Sequence, residues 1–307
     1  MLGYITDPSV PAGIVRRDVP EPERGPHDVL VEVAAFAVNR GELSLIQQRP
    51  DGWLPGQDVA GVVAAAAADG SGPALGTRVV GIADGGGWSE RVPVPSHRIA
   101  ALPDEVSFAQ AASLPVAGLT ALRALRTGGA LLGRRVLVTG ASGGVGSFAV
   151  QLARSAGARV SALVSSKARV EAMEGLGAHE VLTDLGPEAG PFDLILDGVG
   201  GPVLTAAIRR LARGGLLTAY GVASGERSDV AFYDFAAAAP GGRLQGFFVY
   251  STGEETFGED LAVLADLVAR GQLAPQVGEP RDWADTAAAV SSLRERQATG
   301  KVVLTRG

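Results

Sequence analysis

Apolar residues fall along this chain in short runs broken by glycine and proline, and between some runs they recur at helical spacing. Val136-Leu137-Val138, flanked by Arg134-Arg135 and Gly140, reads as a strand buried on both faces. Phe148, Leu152 and Ala156 then recur at helical spacing, and Gly157 ends that helix. A second strand follows over Ala158–Val164. The same alternation predicts strands at Glu180–Leu182, Asp193–Asp197, Leu216–Tyr220 and Leu244–Tyr250, then a helix over Glu259–Arg270. Six strands alternating with helices suit one doubly wound parallel sheet. Ahead of this region, from Met1 to about Leu114, the chain reads as β-rich. Val29–Ala35, Val59–Ala66 and Arg78–Ile82 are its clearest strands, set off by Pro20, Pro22, Gly25-Pro26, Pro55-Gly56 and Gly70 to Pro73. From about Gln272 the elements shorten again and end in a strand at Lys301–Thr305. No internal repeat is visible, and the fold class predicted is α/β.

Between the first strand and its helix lies the turn Ala141-Ser142-Gly143-Gly144-Val145-Gly146. A glycine-rich turn in that context leaves backbone N–H groups at a helix N-terminus free to hold a pyrophosphate. The spacing is Ala141-x-Gly143-x-x-Gly146, with alanine where the common fingerprint has glycine. An acidic residue about 20 positions on would take the ribose hydroxyls of NAD. Here that place holds Ser165, Ser166, Lys167 and Arg169. Two hydroxyls and two cations suit a 2′-phosphate, so the cofactor expected is NADPH. The bland reading of the same residues is a solvated helix start, capped by Ser166, with Lys167 and Arg169 facing water.

Composition narrows the class. A chain of 307 residues suits about two domains, and 46% hydrophobic residues with 43 glycines describe a packed, turn-rich protein. There is no cysteine, which excludes disulfides and thiolate metal sites. His27, His97 and His179 are scattered, so no zinc site is expected. A net charge of −6 argues against nucleic acid as a partner. No apolar run approaches the length of a membrane span and no secretory signal opens the chain, so a cytoplasmic location is expected. Lysine occurs only at Lys167 and Lys301, a bias read here as genomic. Thr139-Gly140-x-x-x-Gly144-x-Gly146 also fits a short-chain dehydrogenase. That fold places the motif near the N-terminus and needs Tyr-x-x-x-Lys, and no tyrosine here has lysine four places on.

Further segments carry a resemblance. They are Ala37-Val38-Asn39-Arg40-Gly41-Glu42, Pro55-Gly56-Gln57-Asp58-Val59-Ala60-Gly61-Val62-Val63, Gly76-Thr77-Arg78-Val79, Ala111 to Ala121, the glycine turn, and Gly300-Lys301-Val302-Val303-Leu304. In order and spacing the chain resembles medium-chain dehydrogenase/reductases of the zinc-free quinone oxidoreductase branch, the zeta-crystallin-like one. The resemblance implies a GroES-like catalytic domain from residues 1–114 and 272–307, a Rossmann NADPH-binding domain over 115–271, and an active site in the cleft between them. It implies a homodimer through the edge of the Rossmann sheet, where Leu244–Tyr250 is expected. Zinc-dependent relatives carry Cys at the start of the Asn39 segment and His-Glu at Gln57-Asp58, and Asn39 and Gln57 cannot replace those ligands.

The resemblance places Asn39 beside the nicotinamide ribose and the reacting centre, as a positioning or polarising group. It places Thr120 at a helix start near the nicotinamide, Gly221 and Val222 after the fifth strand, and Phe247, Phe248 and Val249 at the close of the sixth. Asp197 is expected to cap the helix after the fourth strand. Two departures stand out. Asp184 replaces a tyrosine that packs near the adenine, and no tyrosine follows the Asn39 segment as a proton donor. Trp53, Trp88, Tyr4 and Tyr250 are candidates to line the substrate pocket. The expected reaction is metal-free transfer of hydride from NADPH to a quinone or an α,β-unsaturated carbonyl compound. One alternative is an enoyl or enone reductase tailoring a natural product or an acyl thioester. Another is a catalytically silent NADPH-binding scaffold or sensor.

Overall fold

The computed structural model describes residues 1–236 and 239–306. The chain forms two compact units, Met1–Leu119 with Gly253–Gly307, and Thr120–Thr252. In chain order the first holds β1 (Leu2–Thr6), β2 (Ile14–Asp18), β3 (Asp28–Val38), α1 (Arg40–Gln48), β4 (Asp58–Ala65), β5 (Arg78–Ile82), β6 (Arg91–Pro95), β7 (Ile99–Ala101) and α2 (Phe108–Ala112). Helix α3 (Pro115–Arg126) leads into the second. There follow β8 (Arg135–Thr139), α4 (Gly144–Ser155), β9 (Arg159–Leu163), α5 (Val170–Gly175), β10 (Glu180–Leu182), β11 (Phe192–Asp197), α6 (Gly201–Ile208), β12 (Leu211–Ala219), α7 (Phe232–Ala236) and β13 (Arg243–Gly246). The chain returns to the first unit with α8 (Phe257–Ala269), β14 (Arg281–Asp282), α9 (Thr286–Arg294) and β15 (Val302–Thr305).

The first unit is built on a seven-stranded sheet in the order β14-β15-β3-β4-β5-β7, with β6 paired to β3 as well. Long β3 is its spine. It alternates buried Val29, Val31 and Val33 with more exposed positions, then turns apolar throughout at Ala35–Val38 where both faces are covered. Its aromatic centre is Phe36, stacked on Trp88 at 5.9 Å and edge-on to Trp283 at 6.2 Å. Each such pair adds about 0.5–1.5 kcal/mol beyond the burial of its area. Trp88 is wholly buried, and Tyr4 is buried with its hydroxyl donating to the carbonyl of Trp283. These two side chains belong to the core, so the expectation that they line a substrate pocket is corrected.

The second unit is a six-stranded sheet, all parallel, in the order β10-β9-β8-β11-β12-β13. Counted within the unit this is 3-2-1-4-5-6, the doubly wound Rossmann arrangement. Val136, Leu137 and Val138 are fully buried, as strands covered on both faces must be. Helix α4 buries eight of its twelve residues, Phe148 and Leu152 among them.

Two differences from the sequence reading have physical causes. The sixth strand ends at Gly246, not Tyr250. Its partner β12 stops at Ala219, opposite Gly246, so the ladder has nothing further to pair with. Phe247 N–H still donates to Ala219 O at 2.8 Å, and a 3-10 turn follows over Val249–Ser251. The helix after it, α8, packs on β5, β7 and Ser96–Arg98, and so belongs to the first unit, whereas the reading above carried the Rossmann domain to residue 271. Gly258 allows that close approach: a Cβ there would lie 2.7 Å from Ile99 O.

Candidate active site

In a doubly wound sheet ligands gather beyond the carboxyl ends of the strands, where the strand order reverses. Here that point lies between β8 and β11. Chain leaving β8 passes Gly140 in the left-handed region (φ +58°), and Gly143 N–H closes the turn on Gly140 O at 2.9 Å. A Cβ on Gly146 would lie 2.5 Å from Gly140 O and 2.7 Å from Ala141 Cα, so only glycine fits. Gly143 is the N-cap of α4 and offers no side-chain cap. The first-turn N–H groups of Gly144, Val145 and Gly146 lie at the start of the helix with no side-chain cap, the arrangement that accepts a phosphate group. This cradle fits a dinucleotide.

Beside it lies a cavity of about 370 Å³. Its walls include Ser142 from the glycine turn, Leu163 and Ser165 from the end of β9, Asp184 beyond β10, and Val199 and Val203 around α6. Leu163, Val199 and Val203 give it an apolar floor suited to a planar base. Arg169 crosses to the glycine turn, its guanidinium donating to Ser142 Oγ at 2.9 Å. Two of the residue groups singled out above therefore meet. Ser165, Ser166 and Lys167 stand exposed on the same turn. Asp184 does line this cavity, and its Oδ1 accepts from Gly186 N–H at 3.0 Å.

The loops after β11 and β12 are tied together above the switch point. Ala223 N–H donates to Gly198 O and Ser224 N–H to Val199 O, which fixes the segment holding Gly221 and the exposed Val222. Asp197 Oδ2 accepts from Gly200 N–H at 2.9 Å, ahead of α6, and its Oδ1 takes the Thr139 hydroxyl from the end of β8. Burial holds this carboxyl above the usual range. Tyr220 covers Gly198, and burial followed by the Asp197 charge pushes its phenol up. At the sheet edge Val249 is buried, while Phe248 is 66% exposed and packs on Tyr250 at 5.3 Å. Thr120 is not at a helix start: α3 begins at Pro115, a residue suited to a first turn, and Thr120 lies buried in mid-helix.

The first unit holds a second, buried polar centre. Strand pairing sets Asp58 opposite Ala37 and Val302 opposite Val38. Asn39, Asp58 and Lys301 therefore meet at one end of the β15-β3-β4 ladders, although the chain separates them widely. Asn39 Nδ2 donates to Asp58 Oδ2 at 2.9 Å, and Lys301 Nζ donates to Asn39 Oδ1 at 2.6 Å and to Asp58 Oδ2 at 2.8 Å. Asp58 Oδ1 accepts from Val116 N–H at 2.8 Å. Asn39 is the N-cap of α1 and shares a capping box with Glu42, the third residue of the helix. Glu42, fully buried, accepts from Asn39 N–H at 2.7 Å and from Gln57 N–H at 2.9 Å. Burial and the neighbouring Asp58 charge push its carboxyl up to about 8, against the pull of those two N–H groups and Lys301.

Asp58, Glu42 and Lys301 were not singled out from sequence. One signal was available: Lys301 is one of two lysines against 25 arginines. Among the described residues, no group of three or more His, Cys, Asp or Glu side chains is placed to hold a metal ion. No helix of the described residues is long and apolar enough to cross a membrane.

Residues 25–104 match the profile of the alcohol dehydrogenase GroES-like domain, and residues 144–266 that of the zinc-binding dehydrogenases. The chain is 35% identical over 295 residues to the spectinabilin polyketide synthase system protein NorB of Streptomyces orinoci. That alignment covers 91% of this chain and 13% of that protein. For two further polyketide synthases the share is 5% and 8%, so the chain spans only a small part of these relatives. It is 29% identical over 306 residues to a human quinone oxidoreductase, covering 94% of this chain and 92% of that one. A mycobacterial protein solved in complex with NADPH superposes with a TM-score of 0.88 at 28% identity, covering 99% of this chain and 100% of that chain. With both units matched in fold and in sequence, the chain belongs to the medium-chain dehydrogenase/reductase superfamily, in its quinone oxidoreductase branch.

Proposed function

We propose that this chain is an NADPH-dependent reductase that passes hydride to a quinone or an α,β-unsaturated carbonyl compound without a metal. The observation that carries the cofactor choice is the Arg169–Ser142 hydrogen bond beside the glycine cradle, with Ser165, Ser166 and Lys167 on the same turn. A guanidinium held there suits a 2′-phosphate. Asp184 also lines that wall, with one of its oxygens already engaged by Gly186 N–H. Ala141 to Gly146 cradle the pyrophosphate. Gly221, Val222, Phe247, Phe248 and Val249, at the carboxyl ends of β12 and β13, serve the nicotinamide half, and Thr120 supports it from α3. NADPH, when bound, supplies the hydride.

Hydride transfer to an electron-poor carbon would leave negative charge on the acceptor's oxygen. Asn39 stabilises that charge with the second hydrogen of Nδ2, the first being committed to Asp58. Water or a nearby hydroxyl then supplies the proton. The chain has no cysteine, and His27 pairs with Asp69, so its donor set does not suit zinc. The match to polyketide synthases and to a trans-enoyl reductase of Aspergillus terreus favours, as a second reading, an acyl thioester with a conjugated double bond as acceptor. We further propose a homodimer paired through β13, whose exposed Leu244 and neighbouring Phe248 lie at the free edge of the Rossmann sheet. Oxidation of NADPH followed with a quinone, an enone and an enoyl thioester tests the reading. Turnover of the thioester alone favours the second reading. Tight NADPH binding with no turnover of any acceptor would make the chain a silent scaffold.

A further inference from the structure

A carboxamide has two orientations that exchange its oxygen and nitrogen, and only the surrounding donors and acceptors choose between them. At Asn39 that choice is made by two partners with opposite capacities. An ammonium can only donate and an ionised carboxylate can only accept. Lys301 Nζ therefore demands Oδ1, at 2.6 Å, and Asp58 Oδ2 demands Nδ2, at 2.9 Å. The two partners are tied to each other at 2.8 Å with side chains 6% and 0% exposed, and Asp58 is anchored further by Val116 N–H. The backbone of Asn39 is held as well, through Glu42. A buried ion pair of this kind is weak as a source of stability, since apolar residues of the same volume would do as well or better. What it supplies is an instruction: one orientation of one amide, leaving one Nδ2 hydrogen uncommitted.

We infer that Lys301 and Asp58 are positioning residues that lock the Asn39 carboxamide with its donor edge presented for reaction, an inference that rests on the reading of Asn39 as the polarising group. Lys301→Met removes the obligate donor, and Asp58→Asn replaces the obligate acceptor by an amide that can face Asn39 with either atom. Both are measured for NADPH oxidation with a naphthoquinone and with crotonyl-coenzyme A, for NADPH affinity, and by the side-chain amide resonances of Asn39. Those resonances are identified by their loss in Asn39→Asp.

In the wild-type protein one Asn39 amide hydrogen resonates downfield and exchanges slowly. In both variants that signature is lost, kcat falls about tenfold to hundredfold as expected for a misplaced group, and KM and NADPH affinity stay within about twofold. Lys301→Arg, which keeps a charged donor, recovers most of the rate. If Lys301→Met does not fold, the wild-type resonances and the arginine variant still decide. A wild-type Asn39 amide that exchanges freely overturns the inference. So do folded Lys301→Met and Asp58→Asn proteins with unchanged kcat beside an inactive Asn39→Ala. An Asn39→Ala protein with full kcat instead overturns the reading of Asn39 itself, and the positioning role with it.

Discussion

Two side chains show how the protein sets its chemistry residue by residue. Arg169 donates one N–H to Ser142, and in the proposed reading its remaining N–H groups serve the 2′-phosphate. Arg169→Ala should weaken NADPH binding about tenfold to hundredfold, the worth of a hydrogen bond to a charged group, and leave NADH affinity unchanged. Titration of both nucleotides by fluorescence checks this, and Ser166→Asp should shift the ratio the same way by repelling the phosphate. Glu42 works in the opposite direction. Its carboxyl titrates at about 8 in the folded chain and near 4.5 when exposed, so between those values the folded state holds one proton more than the unfolded state. Stability from this group is therefore complete below about 4.5 and lost as pH rises towards about 8. Glu42→Gln should flatten that decline, seen as a smaller difference in denaturation midpoint between the two ends of the window. An unchanged difference would show that Glu42 is ionised throughout. Of this centre only Asn39 was singled out from sequence, through the resemblance; Glu42, Asp58 and Lys301 were not. Residues 39, 58 and 301 meet only because β15 and β4 flank β3, and strand pairing at such separation leaves no local pattern.

At the scale of elements, what was legible is what burial imposes locally. Parallel strands covered on both faces must be short apolar runs, so β8, β9, β11 and the helix α4 stood out, as did the glycine turn between them. What was not legible depended on partners. The end of β13 is set by the end of β12, and the packing of α8 by a carbonyl that meets Gly258. The glycine turn is the element whose geometry tolerates least. Gly146→Ala sets a methyl against Gly140 O at 2.5 Å, which backbone alone must relieve. We expect a loss of about 1–3 kcal/mol in stability, as for other overpacked sites, with NADPH binding weakened at least tenfold. Chemical denaturation and nucleotide titration measure the two separately. NADPH binding that survives intact would mean that α4 does not hold the pyrophosphate.

For the whole molecule, two units of different architecture each carry one half of the proposed chemistry: nucleotide at the carboxyl ends of the Rossmann strands, and a locked amide in the seven-stranded unit. Fold and cofactor class were legible because each rests on a local motif, whereas the acceptor depends on a pocket shape that no motif encodes. If β13 pairs with its counterpart, sedimentation should give twice the mass of the 307-residue chain, and Leu244→Asp should return it to the monomer. The central claim is tested most directly by following NADPH oxidation in the purified protein with a naphthoquinone, an enone and crotonyl-coenzyme A, beside an Asn39→Ala control. The account predicts turnover of at least one acceptor that depends on NADPH over NADH and on Asn39, in protein stripped of metal by a chelator. Tight NADPH binding without turnover of any of the three, or turnover that vanishes with chelation and returns with zinc, would contradict it.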